Sequence, residues 1–219
     1  MIRFKYTYQN KIELIMYMHE NKKNIGTVII FPGGGFTHCE LSEGKGIAKK
    51  YYARGYDVIV ANYIVGHLKK HLNFDELLKR LINIKYILKE LHLENYFFVG
   101  FSAGGYAALI MSLYLEMEPI GIILGYPLIQ GFEDIDILHL LAEKSRPIFL
   151  FATFDDHVVS IKHSLLLINR IYNTNNSCEI HIFDHGHHGI GVKGQNKTYN
   201  KWFELSIEWL ERLIDKEGY

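Results

Sequence analysis

The stretch Gly100-Phe101-Ser102-Ala103-Gly104 has the form G-x-S-x-G, and the chemistry it suggests is nucleophilic attack by Ser102. A serine hydroxyl is a poor nucleophile until a neighbouring base takes its proton. Glycines on both flanks suit a strand-to-helix turn tight enough to lift the hydroxyl above a sheet edge, which leaves the N–H of Ala103 at a helix N-terminus. Alone the match is weak: with glycine at about 7% of residues, a chain this long shows about 0.1 such matches by accident. Context strengthens it. Tyr96-Phe97-Phe98-Val99 runs in as a strand, and a helix-forming stretch runs out. The plain alternative is a glycine-rich turn with Ser102 as a helix N-cap.

A second motif, Phe31-Pro32-Gly33-Gly34-Gly35-Phe36, follows a short apolar run that begins at Thr27. Consecutive glycines let a backbone turn its N–H groups toward a ligand with no side chain in the way. With Ala103, the Gly34 and Gly35 region is expected to form an oxyanion hole, the choice of glycine N–H staying open. A flexible loop or a phosphate nest are the alternatives. No Gly-Lys-Ser/Thr follows, which argues against a P-loop.

Acid and base candidates come later in the chain. Asp155 and Asp156 follow the apolar run Ile148–Phe151, and His185, His187 and His188 follow Cys178–Phe183. A carboxylate in the first loop reaching an imidazole on the second would fix its tautomer and stabilise its cation. The order Ser, Asp, His is that of the α/β-hydrolases. Spacing alone does not choose between the two aspartates or among the three histidines. A metal patch built from Asp184 and these histidines is the competing reading. No HExxH or cysteine partner supports it, so neither metal nor cofactor is expected. His181 alternates outward on its strand and is expected at the surface. His19, His38, His67, His71, His92, His139, His157 and His163 have no partner visible in the sequence.

These groups need elements to carry them. Arg3–Tyr8 and Ile12–Met18 read as an antiparallel pair across Gln9-Asn10-Lys11. Buried strands are expected at Thr27–Phe31, Asp57–Ala61, Tyr96–Val99, Ile120–Leu124, Ile148–Phe151 and Cys178–Phe183. Helices are expected at Glu43–Arg54, Phe74–Leu91, Ala103–Leu115, Ile161–Tyr172 and Lys201–Ile214. The clearest is Phe74–Leu91, with Leu77, Leu81, Ile84 and Leu88 on one face. Alternating strands and helices imply an α/β fold: a mostly parallel sheet covered on both faces, preceded by antiparallel strands. Ligands of such sheets bind beyond the carboxyl ends of the strands, where every motif above falls.

Length and composition fit a single domain over residues 1–219. Lys plus Arg and Asp plus Glu are 24 each, so bulk charge gives no reason to expect nucleic acid or an anionic membrane. No apolar run is long enough to span a bilayer, and the N-terminal residues show no secretory pattern, so a cytoplasmic protein is expected. Two cysteines outside any CxxC, Cys39 and Cys178, are expected as thiols.

The combined pattern resembles the acetyl-xylan esterase-like and feruloyl/acetyl esterase branch of the α/β-hydrolases, from the Pro32–Phe36 loop to the last helix. The similar segments include Glu43-Gly44, Gly55-Tyr56, Asn62-Tyr63, Gly100–Gly105, Gly125-Tyr126-Pro127 and Trp202…Trp209-Leu210. In that branch the acid is followed by two residues and then Val-Pro. Asp156-His157-Val158-Val159-Ser160 fits with serine for proline. The base stands in Gly-x-His-Gly-x-Gly, matched by Gly186-His187-His188-Gly189-Ile190-Gly191. The resemblance therefore implies Asp156 over Asp155 and His188 over its neighbours, and proline stands where many relatives have histidine before the glycines. It implies a serine esterase acting through an acyl-enzyme. Between Ile129 and Pro147 there is room for one short helix, about Asp134–Glu143, so little or no cap is expected. An open site suits short acyl groups, acetyl-type, on small molecules or carbohydrates. The alternatives are a peptidase or thioesterase on the same fold, or a binding protein without the chemistry. The oligomeric state stays open, a homodimer included.

Overall fold

The computed structural model describes residues 2–20, 25–143, 146–174, 176–192 and 200–216. The chain opens with a hairpin of β1 (Ile2–Tyr8) and β2 (Ile12–Met18), paired antiparallel. Three residues, Gln9 to Lys11, connect the paired ends; Gln9 and Asn10 take φ of 49° and 51°, and the Lys11 N–H donates to the Tyr8 carbonyl at 3.0 Å to close the turn. The strands that follow are β3 (Thr27–Phe31), β4 (Asp57–Asn62), β5 (Tyr96–Phe101), β6 (Gly121–Gly125), β7 (Ile148–Thr153) and β8 (Cys178–Phe183). They join one eight-stranded sheet in the order β1-β2-β4-β3-β5-β6-β7-β8, antiparallel through β2–β4 and parallel from β4 to β8. β3, β6 and β7 are buried at every residue, which is why they read as continuous apolar runs without alternation.

Helices cover both faces. On one lie α2 (Phe74–Glu90), α3 (Ala103–Leu109), α4 (Ile137–Glu143) and α5 (Lys162–Tyr172). On the other lie α1 (Ile47–Ala53) and α6 (Lys201–Lys216). The amphipathic face expected for α2 is the buried one, and Asn73 and Glu76 close its N-terminus with a reciprocal capping box. Trp202 of α6 stacks on Phe151 with ring centroids 4.2 Å apart, and Trp209 packs on Phe149, so both tryptophans belong to the core.

Some expected boundaries move. The helix expected at Glu43–Arg54 is a π-helical turn over Ser42–Gly46 followed by α1. Gly44 lies against Pro32 and Val60, closer than a regular residue would allow comfortably. The helix expected to Leu115 ends as α3 at Leu109 and continues as a π-helical turn, Ile110–Tyr114. α4 starts at Ile137 rather than near Asp134, because Asp136 accepts the His139 N–H at 3.0 Å and caps the first turn. It is the single helix among the described residues between β6 and β7. His181 corrects the expectation of a surface residue: it packs on Phe149 at 5.0 Å and meets Glu179 at 3.0 Å, while Ile180 and Ile182 are the more exposed. β8 is an edge strand, and α6 covers the face that carries His181. Cys39 and Cys178 are free thiols, and no helix among the described residues is long and apolar enough to cross a membrane.

Candidate active site

Ser102 sits between β5 and α3 with φ 51° and ψ −122°. That conformation costs a non-glycine residue about 1–3 kcal/mol and persists only where its surroundings enforce it. They do so by close approach. A Cβ on Gly104 would lie 2.0 Å from the Phe31 carbonyl oxygen, and one on Gly100 would lie 2.5 Å from that of Gly104. The Ser102 N–H donates to the Gly125 carbonyl at 2.9 Å, and the Ser102 carbonyl accepts from Gly105 and Leu128 at 3.0 Å each. Two neighbouring elements thus pin the turn.

The loop after β8 brings His188 over Ser102, with Nε2 3.0 Å from Oγ. Its Nδ1 is 2.7 Å from Oδ2 of Asp156. The other oxygen, Oδ1, accepts the N–H groups of Val158 at 2.8 Å and Val159 at 2.9 Å, so the carboxylate has a fixed direction. Burial raises the Asp156 pKa, but the hydrogen bonds from His188, Val159 and Val158 outweigh it and hold the group below the usual carboxylate value. An ionised Asp156 favours the tautomer with a proton on Nδ1, leaving Nε2 to accept from Ser102.

Asp155 is occupied elsewhere. Its Oδ1 accepts the His187 N–H at 3.0 Å, and its Oδ2 lies 3.1 Å from His187 Nδ1 and 3.8 Å from His185 Nδ1. His185 and His187 are exposed and turned toward Asp155. Thr153 completes the tie by donating its hydroxyl to the His187 carbonyl at 3.1 Å. The structure therefore brings Ser102, His188 and Asp156 together, and leaves Asp155, His185 and His187 outside that group.

Four ties that the sequence did not announce hold the glycine loop. The Gly33 N–H donates to Glu43 Oε2 at 2.6 Å, and the Tyr126 hydroxyl donates to Oε1 of the same carboxylate at 2.8 Å. The Tyr63 hydroxyl donates to the Pro32 carbonyl at 2.8 Å, and His71 Nδ1 lies 2.5 Å from the Gly35 carbonyl. The Gly33 N–H is thus taken, while Gly34 and Gly35 line the cavity beside Ser102. Gly34 has φ 121°, and a Cβ there would lie 2.3 Å from the His38 carbonyl oxygen, so only glycine fits.

Gly34, Gly35, Ser102, Ala103 and His188 line one cavity of about 580 Å³. Phe36, Leu72, Leu128 and Phe132 give it apolar walls, and His38, Glu40 and His71 add polar ones. The wall after β6 is tied by His163, whose Nδ1 accepts the N–H groups of Ile129 and Gln130 at 3.4 Å each. Burial lowers the His163 pKa, which favours the neutral, accepting ring. Phe101, Tyr63 and Tyr126, which also follow motif residues, are core residues. Among the described residues no cluster of three or more His, Cys, Asp or Glu side chains is arranged to hold a metal ion.

No family model matches the chain. Solved structures do. MGS-M1, an α/β-hydrolase enzyme from a Medee basin deep-sea metagenome library, is 28% identical with a TM-score of 0.79, over 98% of both chains. The acetyl ester-xyloside bifunctional hydrolase of Caldicellulosiruptor lactoaceticus is 25% identical with a TM-score of 0.77, over 92% of this chain and 88% of that one. Among curated proteins, the acetylxylan esterase of Xylanibacter ruminicola is 20% identical over 93% of this chain and 48% of its own length. The chain spans less than half the length of the curated relatives it matches. The fold is that of the α/β-hydrolases.

Proposed function

On the premise of this fold, we propose that the chain is a serine esterase that hydrolyses carboxylic esters with short, acetyl-type acyl groups, carried on small molecules or carbohydrates. One observation carries the reading: the continuous hydrogen-bond relay from Ser102 through His188 to Asp156 at the wall of a partly apolar cavity. The acyl preference rests on the open site beside the short β6–β7 segment. The carbohydrate leaving group rests on the likeness to an acetyl ester-xyloside hydrolase and an acetylxylan esterase.

In this mechanism His188 Nε2 takes the Ser102 proton as Oγ bonds to the ester carbonyl carbon. The tetrahedral oxyanion is held by the Ala103 N–H and a donor of Gly34 or Gly35. Asp156 stabilises the imidazolium. The imidazolium gives its proton to the leaving alkoxide as the carbon–oxygen bond breaks, leaving an acyl-enzyme. Water, deprotonated by His188, then repeats the addition and frees the acid and Ser102. No metal or cofactor enters, and a single domain in the cytoplasm is part of the same reading.

The test is a panel of p-nitrophenyl acetate, butyrate and long-chain esters, acetylated sugars, acyl-CoA and aminoacyl substrates. Ester turnover that is highest on acetyl or butyryl groups and lost in Ser102→Ala is expected. Higher kcat/KM on long chains would overturn the acyl preference. Preference for thioesters or amides would move the chain to another hydrolase class. Failure of a fluorophosphonate to label Ser102 would leave a binding protein.

A further inference from the structure

Glu43 is a carboxylate with 3% of its surface exposed, in the π-helical turn before α1. Burying a charge costs several kcal/mol unless hydrogen bonds replace its water. Here each oxygen has a partner: Gly33 N–H at 2.6 Å and the Tyr126 hydroxyl at 2.8 Å. Neither partner is incidental to the site. Gly33 immediately precedes Gly34 and Gly35, which line the cavity, and a Cβ on it would lie 2.8 Å from Glu43 Oε2 and 2.9 Å from Ser102 Cβ. The carboxylate and the nucleophile turn therefore both close on Gly33, from positions that leave no room for a side chain there. Tyr126 stands with its ring edge-on to the His188 imidazole, centroids 4.8 Å apart. Its backbone holds φ 37°, and its N–H donates to Phe151 at 2.7 Å.

We infer that Glu43 is a positioning residue that couples the two halves of the site, fixing the glycine loop through Gly33 and the base through Tyr126. A neutral spacer of the same size would fill the volume, but a hydrocarbon would leave the Gly33 N–H and the Tyr126 hydroxyl buried without acceptors. Burial raises the Glu43 pKa, while the hydrogen bonds from Tyr126 and Gly33 oppose that rise. The inference rests on the esterase reading, because the positioned groups matter only if Ser102 is acylated.

The experiment compares Glu43→Ala and Glu43→Gln with the unmodified chain on p-nitrophenyl acetate. Competent sites are counted by titrating Ser102 to completion with a fluorophosphonate. A glutamine oxygen can accept from Gly33, and its amide can donate to the Tyr126 oxygen, so both ties survive without the charge. Glu43→Ala is expected to lose kcat per titrated site by about 10- to 100-fold with KM within about twofold, because oriented donors act on the transition state. Glu43→Gln is expected to recover most of that loss. A role confined to stability would lower Tm and the number of titrated sites but leave kcat per site intact, and that result overturns the inference. Should Glu43→Ala not fold, Tyr126→Phe takes its place under the same criterion. If the unmodified chain shows no Ser102-dependent turnover, the esterase reading falls and the inference with it. If it turns over and the variants match it per site, the inference alone falls.

Discussion

The donor side and the base side of the site are held in different ways. The donor side consists of the glycine loop after β3 and the turn after β5, two neighbouring central strands. It is crowded: backbone passes backbone within distances that exclude a single Cβ, and Ser102 is 6% exposed. The base side hangs from β7 and the edge strand β8. It is held by two adjacent aspartates, Asp155 gripping the main chain of the histidine loop and Asp156 gripping the imidazole. Steric crowding therefore dominates at the glycine loop and the Ser102 turn, with hydrogen bonds added to the loop, whereas directional polar bonds fix the His188 loop, the base of the proposed mechanism. A steric change on the first side should damage the fold. A polar change on the second should damage turnover and spare the fold.

Substitutions can break or sharpen this contrast. Asp156→Asn is expected to fold normally and lower kcat by about 10⁴-fold, because the amide no longer selects the Nδ1-protonated tautomer. Steady-state kinetics beside a thermal melt would read both halves of that statement, and a large drop in Tm would erase the contrast. Gly104→Ala drives a methyl group into the Phe31 and Pro32 carbonyl oxygens, at 2.0 and 2.5 Å. It should cost at least about 3 kcal/mol, a fall in Tm of about 6–12 °C for a chain of this size. A melt within 2 °C or so of the parent would show that the turn can relax. Asp155→Asn should reduce kcat by about 3- to 10-fold, since the His187 N–H keeps an acceptor while the nearby negative charge is lost. An effect equal to that of Asp156→Asn would mean that main-chain tethering matters as much as tautomer control.

The smallest effect is on acid stability. The carboxyl groups of Asp155 and Asp156 are both held below the usual carboxylate pKa. For Asp155 the bond from the His187 N–H is the main cause. For Asp156 hydrogen bonds overcome the opposing effect of burial. The folded chain thus binds fewer protons than the unfolded one, and the contribution is fully present above the unfolded value and lost as pH falls through the folded one. Denaturant midpoints measured from pH 6 down to pH 3 should decline, with a shallower slope in Asp156→Asn. Parallel slopes would show that Asp156 contributes nothing to acid sensitivity.

The sequence displayed strands as apolar runs, and the amphipathic face of α2, because burial leaves a periodic trace. It also displayed Ser102 and the base loop, because tight turns need glycine, and the acid loop as a pair of carboxylates after the apolar run Ile148–Phe151. The choice between Asp155 and Asp156 depended on resemblance to relatives, since both lie in the same loop and differ only in where their oxygens point. Glu43 stood in a segment that the resemblance marked, but its contacts were hidden for another reason. Its partners Gly33 and Tyr126 lie 10 and 83 positions away, and no periodicity links residues across a sheet. His163 was hidden likewise, its partners 33 and 34 positions earlier. His181 was misread because polar-outward alternation presumes an evenly covered sheet, and an edge strand is covered on one face more than on the other.

The strand order has one further consequence. β3 and β5 lie side by side, but the chain leaves β3 toward β4 on one flank and leaves β5 toward β6 on the other. The departing segments also turn to opposite faces, one into α1 and the other into α3. A cleft opens wherever two neighbouring strands part company in this way. The hollow beside Ser102 is thus a by-product of how the ribbon is threaded. Side chains such as Phe132 and Leu72 can be exchanged to reshape its walls, while the hollow itself would close only if the threading changed.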